Sequence, residues 1–178
     1  MKNRLILMLF LTLLLSACVK EKLETIYSRQ ETQIDAYLTK NSVVGEDTLD
    51  IVYNNGSARL IKTEGYGEGL KANGAISFYY AGYVFTSSPS TLFDTNHEET
   101  AQKAGFNVTD PDYELLEIDM RDDRLLEGVR NGLMGVKAGE ECEILFNGKY
   151  GFGNEVFGII PANSALLFKI WVVGVSNE

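Results

Sequence analysis

The sequence has few of the residues that build metal and covalent catalytic centres. It contains one histidine, His97, and two cysteines, which lie far from it in the chain. Because a metal site needs several such ligands close together, we expect no metal and interpret His97 as a solvated loop residue. Neither a glycine-rich dinucleotide motif after a strand nor a phosphate-binding loop is present. These absences argue against nucleotide-dependent enzymes, and we expect no cofactor.

Clusters of basic residues are also missing. The 16 Lys and Arg residues are outnumbered by 25 Asp and Glu residues, so the formal net charge at pH 7 is −9. Nucleic-acid phosphates attract clustered basic side chains, and we therefore expect no nucleic acid among the partners. Apolar residues, in contrast, are plentiful. They make up 45% of the 178 residues, which is enough for one domain with a core and a shorter additional segment.

The first 18 residues follow the pattern of an export signal. A basic start precedes the apolar run 5–15, which is shorter than the roughly 20 residues needed to span a bilayer. The run leads into "LSAC", which resembles a bacterial lipobox. We therefore predict a lipoprotein signal peptide at residues 1–17 and acylation of Cys18, which would anchor the protein in the cell envelope, on a bacterial membrane facing the periplasm or the cell surface. The alternative is simple secretion, with Cys18 free to pair with Cys142.

An amphipathic pattern follows in residues 21–41. Its apolar side chains recur at helical spacing and are Leu23, Ile26, Tyr27, Ile34, Tyr37 and Leu38. We predict one helix here, within a tether segment 18–58 that also contains a hairpin strand. A role in packing against the domain, or in spacing it from the lipid, is favoured over a dimer arm or a recognition helix.

From about Thr48 the sequence has short runs rich in β-branched and aromatic residues. The runs "TLDIVY" and "ARLIKT" flank Asn54-Asn55-Gly56, and the Asn-Gly pair indicates a hairpin because both residues tolerate positive φ. Further runs are "AISFYYAGYVF", "YELLEIDM", "ECEILF" and "SALLFKIWVVGV". In the long polar connection between residues 93 and 113, "HEETAQKAG" predicts a brief helix that ends at Gly105.

Helical spacing returns in residues 121–141. The apolar positions are Leu125, Leu126, Val129, Leu133 and Met134. Gly135 and Gly139 can end this helix, and the strand after it places Cys142 in the core. One short helix among about five strands predicts an α+β fold. We expect an antiparallel five-stranded sheet wrapped around this helix and preceded by the N-terminal amphipathic helix.

Several stretches of residues 59–178 carry a family resemblance. In chain order they are "GYGEGLKANGAISFYYAGYVF", "LFDTN", "LLEGVRNGLMGVKAGEECEIL", "YGFGN" and "GIIPANSALLFKIWVVGV". They resemble an FKBP-type peptidyl-prolyl cis-trans isomerase domain. The resemblance implies an enzyme that rotates Xaa-Pro bonds without a cofactor and acts on proline-containing or unfolded exported polypeptides.

Such a site has to stabilise a twisted amide. Rotation of an Xaa-Pro bond costs about 18–20 kcal/mol because the twisted amide loses resonance. A dry apolar pocket favours the less polar twisted amide over the planar one. The resemblance assigns catalytic positions to Tyr80, Phe93, Asp94, Leu126 and Phe168. It assigns substrate-binding positions to Leu125, Val129, Phe152, Phe157, Ile159 and Ile160.

The resemblance also implies individual roles. The hydroxyl of Tyr80 is expected to orient Asp94. Leu125 and Leu126 are expected to start the helix, and the backbone N–H of Leu126 to hold a substrate carbonyl. Val129 is expected at the pocket floor, and Phe168 behind the proline ring.

Three positions depart from the family pattern. Val129 stands where members usually have Trp, Phe152 where a Tyr hydroxyl is usual, and Leu116 where an aromatic is usual. A missing hydrogen bond of this kind is worth about 0.5–1.5 kcal/mol. We therefore expect reduced or shifted activity and weak binding of macrolide drugs. Two alternatives stay open: a binding module or chaperone for Pro-containing segments with little or no turnover, and a structural lipoprotein that uses the domain as a scaffold.

Overall fold

The computed structural model describes residues 2–106, 113–122 and 124–177, with side chains from residue 21 onward. Its helices are α1 (Lys2–Asn41), α2 (Glu98–Lys103) and α3 (Glu127–Leu133). Its strands are β1 (Val43–Val44), β2 (Asp47–Thr48), β3 (Ile51–Asn54), β4 (Ser57–Thr63), β5 (Ala75–Phe85), β6 (Pro89–Thr95), β7 (Leu116–Asp119), β8 (Glu141–Phe146) and β9 (Ala165–Ser176). A short 3-10 helix, Gly148–Tyr150, follows β8.

The main sheet is antiparallel and has the order β3-β4-β8-β9-β5-β6, with β7 also paired to β5. The α+β architecture is confirmed, but the predicted number of five strands is too low, because the described sheet has seven. The runs named from the sequence correspond to β3, β4, β5, β7, β8 and β9, and β6 is the strand that they leave out. The β3–β4 hairpin joins the sheet through β8. The 11-residue β5 pairs with β9 along one edge and with β7 and then β6 along the other.

The predicted hairpin between β3 and β4 is present. Asn55 and Gly56 form its turn with φ values of 44° and 83°, which is the left-handed geometry that an Asn-Gly pair favours. Gly56 is also required for space, since a Cβ there would lie 2.1 Å from the Tyr150 ring. The turn therefore packs directly against the segment that follows β8.

Helix α3 packs against one face of the sheet. Gly128 and Gly132 allow the close approach, because a Cβ on either would lie 2.2 Å from Phe146 or Ile144 of β8. Cys142 lies fully in this core, as predicted. The helix is shorter than the predicted pattern in residues 121–141.

The start of α3 differs from the prediction. Leu125 and Leu126 do not begin the helix: Leu126 is the N-cap residue, with φ −54° and ψ 142°, and α3 starts at Glu127. The spacing of the leucines suggested a helix because both are apolar and pack against the same core, but neither residue is part of the helix.

Helix α1 packs against the opposite face. Ile34 and Leu38 are buried against Leu60, Leu145 and other apolar residues of the sheet. On the same helix, Tyr37 meets the ring of Phe85 edge-on at 5.4 Å between centroids, and its hydroxyl donates to Glu143 at 3.0 Å. The amphipathic helix is thus a packing helix of the domain, which is one of the two favoured roles.

The lipidation prediction concerns side chains outside the described residues. Cys18 and residues 2–17 of the predicted signal peptide lie in the part of α1 whose side chains are not described, and residue 1 lies outside the described residues. Among the side chains that are described, no helix combines the length and hydropathy that crossing a bilayer requires.

His97 is not the solvated loop residue that the sequence predicted. It is half-buried at the N-cap of α2, and its ring stacks on Trp171 with 4.0 Å between centroids and an interplanar angle of 9°. Its Nδ1 lies 2.9 Å from Oγ1 of Thr100. Sequence spacing could not reveal the contact between His97 and Trp171, because Trp171 lies far from His97 in the chain.

The brief helix before Gly105 is present as predicted. The described residues contain no cluster of three metal-ligating side chains.

Candidate functional site

A pocket of about 370 Å³ opens where α3 meets β5, β6 and β9. Its remaining wall comes from the connection between β8 and β9, residues 147–164, which we call the pocket loop. The lining residues are Phe78, Tyr80, Phe93, Asp94, Leu116, Arg124, Leu125, Leu126, Val129, Phe152, Phe157, Gly158, Ile159, Ile160 and Phe168. The pocket reaches the surface, because Asp94, Phe157 and Ile159 on its border are exposed. The structure thus brings together every residue that the resemblance assigned to catalysis or substrate binding.

Aromatic rings from three strands form the sheet wall of the pocket. The ring of Phe168 on β9 lies 5.7 Å from that of Phe93 on β6 and 6.2 Å from that of Tyr80 on β5. It also stacks on Phe146 at 5.9 Å. Gly82 makes this cluster possible, since a Cβ at that position would lie 2.6 Å from Phe93 and 3.0 Å from Phe168. The wall is apolar and fixed by packing on several sides.

One carboxylate stands at the edge of this wall. The hydroxyl of Tyr80 donates to Oδ2 of Asp94 at 2.7 Å, which is the contact that the resemblance implied. The buried side chain of Asn96 holds the backbone next to this pair. Its Oδ1 accepts a hydrogen bond from the backbone N–H of Tyr80 at 2.6 Å, and its Nδ2 donates to the carbonyl of Glu114 at 2.9 Å. The orientation of the Tyr80–Asp94 pair is therefore set by β5 and β6.

The wall formed by α3 supplies leucines and a small floor residue. Leu125 and Leu126 precede the helix, and Val129 lies in its first turn, 4% exposed. Arg59 of β4 holds the other end of α3, because its Nη1 donates to the carbonyls of Gly132 at 2.9 Å and Met134 at 2.8 Å. Arg59 thus fixes the C-terminal end of α3 on the sheet.

Arg59 also forms a buried ion pair. Its Nε lies 3.1 Å from Oε1 of Glu140, and both side chains are almost fully buried. Burial, and then the negative charge of Glu140, raise the pKa of the Cys142 thiol beside this pair. Cys142 is therefore a neutral core residue rather than a reactive thiol.

The pocket loop forms the third wall. Phe152 and Phe157 stack with 4.6 Å between ring centroids and nearly parallel planes. A tight turn links Phe157 and Ile160 through two backbone hydrogen bonds of 3.1 and 2.9 Å. Ile160 is buried, whereas Phe157 and Ile159 are exposed by 61% and 63%. The loop therefore presents an apolar lip at the mouth of the pocket.

The three departures from the family pattern all lie in the pocket. Val129, Phe152 and Leu116 are among its lining residues. The nearby Tyr150 does not replace the absent hydroxyl, because its ring packs on Gly56. Trp171 does not replace the absent floor aromatic, because it stacks on His97 elsewhere.

Sequence reasoning missed three lining residues, Phe78, Arg124 and Gly158. Phe78 could have been found, because it lies two positions before Tyr80 on β5 and therefore shares its face. Arg124 lies in an irregular connection and Gly158 in a turn, so neither position follows a periodic signal. The supporting Asn96 was inside the matched stretch "LFDTN" but was not singled out.

Comparison with known proteins decides the family. The model of the FKBP-type peptidyl-prolyl cis-trans isomerase family matches residues 67–173, which is more than half of the chain. The chain belongs to this family. FK506-binding protein 1 of Aspergillus oryzae is 23% identical over 122 residues, which cover 68% of this chain and 99% of that protein. The sequence resemblance is thereby confirmed at the level of the family and of its isomerase activity.

Solved structures show the same FKBP fold. The N-terminal domain of FKBP42 from Arabidopsis thaliana is 17% identical, with a TM-score of 0.58, and the match covers 77% of this chain and all of that domain. FkpA from Escherichia coli is 18% identical, with a TM-score of 0.55, and the match covers 95% of this chain and 70% of that chain. At these identities the likeness concerns the fold alone.

Proposed function

We propose that this isomerase assists the folding of exported proteins by rotating Xaa-Pro bonds in the pocket between the sheet, α3 and the pocket loop. The observation that carries the proposal is the grouping of Tyr80, Phe93, Asp94 and Phe168 around one pocket of about 370 Å³. Slow Xaa-Pro isomerisation can limit folding, and an enzyme without a cofactor suits a compartment that lacks ATP.

The pocket favours the twisted amide because its walls are apolar. The proline ring lies against Phe168, with Phe93 beside it and Val129 below. The planar amide is the more polar, charge-separated form, so an apolar site destabilises it relative to the twisted form. Lowering the activation free energy by about 1.4 kcal/mol speeds rotation tenfold.

Hydrogen bonds hold the peptide while it rotates. In this proposal the backbone N–H of Leu126 binds a substrate carbonyl, and Asp94, oriented by Tyr80, lies beside the rotating bond. The apolar lip of Phe157 and Ile159 receives the residues that flank the proline.

The cellular setting is part of the same proposal. Acylation of Cys18 in "LSAC" would anchor the enzyme in the cell envelope, on a bacterial membrane, where unfolded exported chains are its substrates. Mass spectrometry of the mature protein tests this point. An unmodified Cys18 would remove the anchor from the proposal without touching the isomerase.

An isomerisation assay on a proline peptide tests the function. The full-length chain should accelerate the reaction above background. Asp94→Ala should lower kcat/KM by roughly tenfold, because an oriented charged group is lost at the reacting bond. Asp47→Ala, at an exposed position in β2, is the matched control and should leave kcat/KM unchanged. A wild-type rate equal to the background would reject the isomerase proposal.

A second candidate is a binding module with little turnover. Phe152 has no hydroxyl, the floor residue is Val129, and the exposed lip suits unfolded apolar segments. This candidate predicts binding of unfolded chains together with background isomerisation rates. The same assay, run beside a peptide-binding measurement, separates the two functions.

A further inference from the structure

The N-terminal helix α1 binds both ends of the pocket loop. Oε1 of Gln30 accepts the backbone N–H of Gly148 at 3.0 Å, and Nε2 of the same side chain donates to the carbonyl of Asn163 at 2.6 Å. Three residues earlier, the hydroxyl of Tyr27 donates to Oδ1 of Asn163 at 2.8 Å. A helix outside the family match at residues 67–173 therefore contacts the first and last parts of the loop.

The two ends of the loop also touch each other. A Cβ on Gly148 would lie 2.5 Å from the carbonyl of Asn163, so the ends close into a narrow base. The Gln30 amide bridges this base with one acceptor and one donor, since a side-chain amide carries both groups.

The contacts continue from the base into the loop. The backbone N–H of Asn163 donates to Gly153 at 2.6 Å, and its Nδ2 donates to Asn154 at 3.1 Å. Asn163 has a φ of 57°, in the left-handed region that Asn enters more readily than other non-glycine residues, and these hydrogen bonds stabilise it there. Tyr27 and Gln30 bind this residue through its side chain and its carbonyl.

The pocket residues of the loop lie between these anchored ends. They are Phe152, Phe157, Gly158, Ile159 and Ile160. We propose that Gln30 and Tyr27 are positioning residues of the isomerase pocket, which hold the base of the loop so that its apolar side chains meet the substrate. The inference rests on the proposed isomerase function and adds α1 to the substrate site.

The expected effect concerns substrate binding more than rotation. Tyr80, Asp94 and Phe168 are held by strands, so loss of the Gln30 bridge leaves their geometry unchanged. The loop supplies binding surface, and a loosened loop has to be ordered when the substrate binds. KM should therefore rise while kcat stays nearly constant.

The test uses the full-length chain with Gln30→Ala and a matched control, Gln33→Ala, one turn further along α1. For a proline peptide, Gln30→Ala should raise KM roughly threefold to tenfold with kcat within about twofold of wild type, as expected for loss of a hydrogen-bonded bridge. Tyr27→Phe should raise KM by about twofold to threefold. Gln33→Ala should change neither parameter.

Hydrogen exchange gives a readout that a general loss of stability would not produce. In Gln30→Ala the amide of Gly148 and the loop should exchange faster, whereas the amides of β5 and β9 should not. Gln30→Glu keeps an acceptor for Gly148 but has no donor for Asn163. It should therefore keep the Gly148 amide protected while KM still rises.

The outcomes separate this proposal from the function itself. Unchanged KM and unchanged loop exchange in Gln30→Ala overturn the positioning role, as does an equal effect of Gln33→Ala. If the wild type shows no isomerase activity, the proposed function fails. In that case, faster exchange confined to the loop of Gln30→Ala, together with weaker binding of the same peptide, would still support a positioning role of Gln30 in a binding site. Unchanged loop exchange in this variant would overturn that role.

Discussion

The sheet wall and the loop wall of the pocket are stabilised in different ways. The sheet wall places Phe168 on β9, where it is 7% exposed and surrounded by three other aromatic rings. The loop wall places Phe157 and Ile159 at the surface with more than half of each side chain exposed. Its ends are held by Gln30 of α1 rather than by strand pairing.

This difference suggests a division of work. Residues in paired strands open only with the cooperative unfolding of the sheet, whereas a surface loop opens at lower cost. The sheet wall is suited to keep the Tyr80–Asp94 pair fixed. In the proposed function, the loop wall can adapt to the varied residues that flank a proline.

The largest expected effect comes from the centre of the sheet wall. Phe168→Ala should lower the free energy of unfolding by about 3–5 kcal/mol, because it leaves a cavity among packed rings. It should also abolish most isomerase activity, since the variant loses the ring that we propose lies behind the proline. Urea unfolding and the peptide assay, at a temperature where the variant is folded, measure the two effects.

Ile170→Ala is the matched control for that variant. Ile170 is two positions further along β9, on the same face, and 1% exposed, but it does not line the pocket. Its loss should cost about 2–5 kcal/mol of stability while the folded fraction keeps its kcat/KM. Equal loss of activity in both variants would contradict a specific role of Phe168.

Local sequence patterns predicted most of the sheet wall. Runs rich in β-branched and aromatic residues indicated β5 and β9, and Asn55-Gly56 indicated the β3–β4 turn with its positive φ values. The number of strands was underestimated because pairing of one long strand with two short ones is decided by tertiary contacts. The start of α3 was misplaced because periodicity records burial and not backbone conformation.

The loop wall was much less predictable. The family resemblance assigned Phe157 and Ile159 to substrate binding, but the loop has no period from which its shape could be derived. The contact between Gln30 and Gly148 joins residues 118 positions apart in the chain. The site residues themselves came from the family resemblance, since Phe93 or Phe168 alone would be interpreted as core.

A smaller effect is expected at the polar edge of the sheet wall. Tyr80→Phe removes the hydroxyl that donates to Asp94 and should lower kcat/KM by about twofold to tenfold. Tyr79→Phe is the control on the adjacent residue of β5, which faces the other side of the sheet beside His97. Activity unaffected in Tyr80→Phe would show that Asp94 needs no orienting partner.

The smallest expected effect is a pH dependence of the free energy of unfolding that comes from the buried thiol of Cys142. Burial raises the pKa of Cys142 in the folded chain above the value of about 8.5 for a free thiol. Below that pH both states keep the proton, and this thiol adds no pH dependence. Above it the unfolded state loses the proton first, so the free energy of unfolding should fall with rising pH, by up to about 1.4 kcal/mol per pH unit.

Urea unfolding between about pH 7 and 9.5 measures this slope, and Cys142→Ala supplies the comparison. Cys142→Ala should have a lower free energy of unfolding at every pH. Above about pH 8.5, it should lack the additional decrease that deprotonation of the Cys142 thiol causes in the wild type. The same slope in both chains would place its origin elsewhere. Cys142 belongs to β8 and not to the pocket loop. Over the same pH range, hydrogen-exchange protection should therefore fall in the sheet amides more than in the loop amides. This result would distinguish the two walls by their chemistry as well as by their packing.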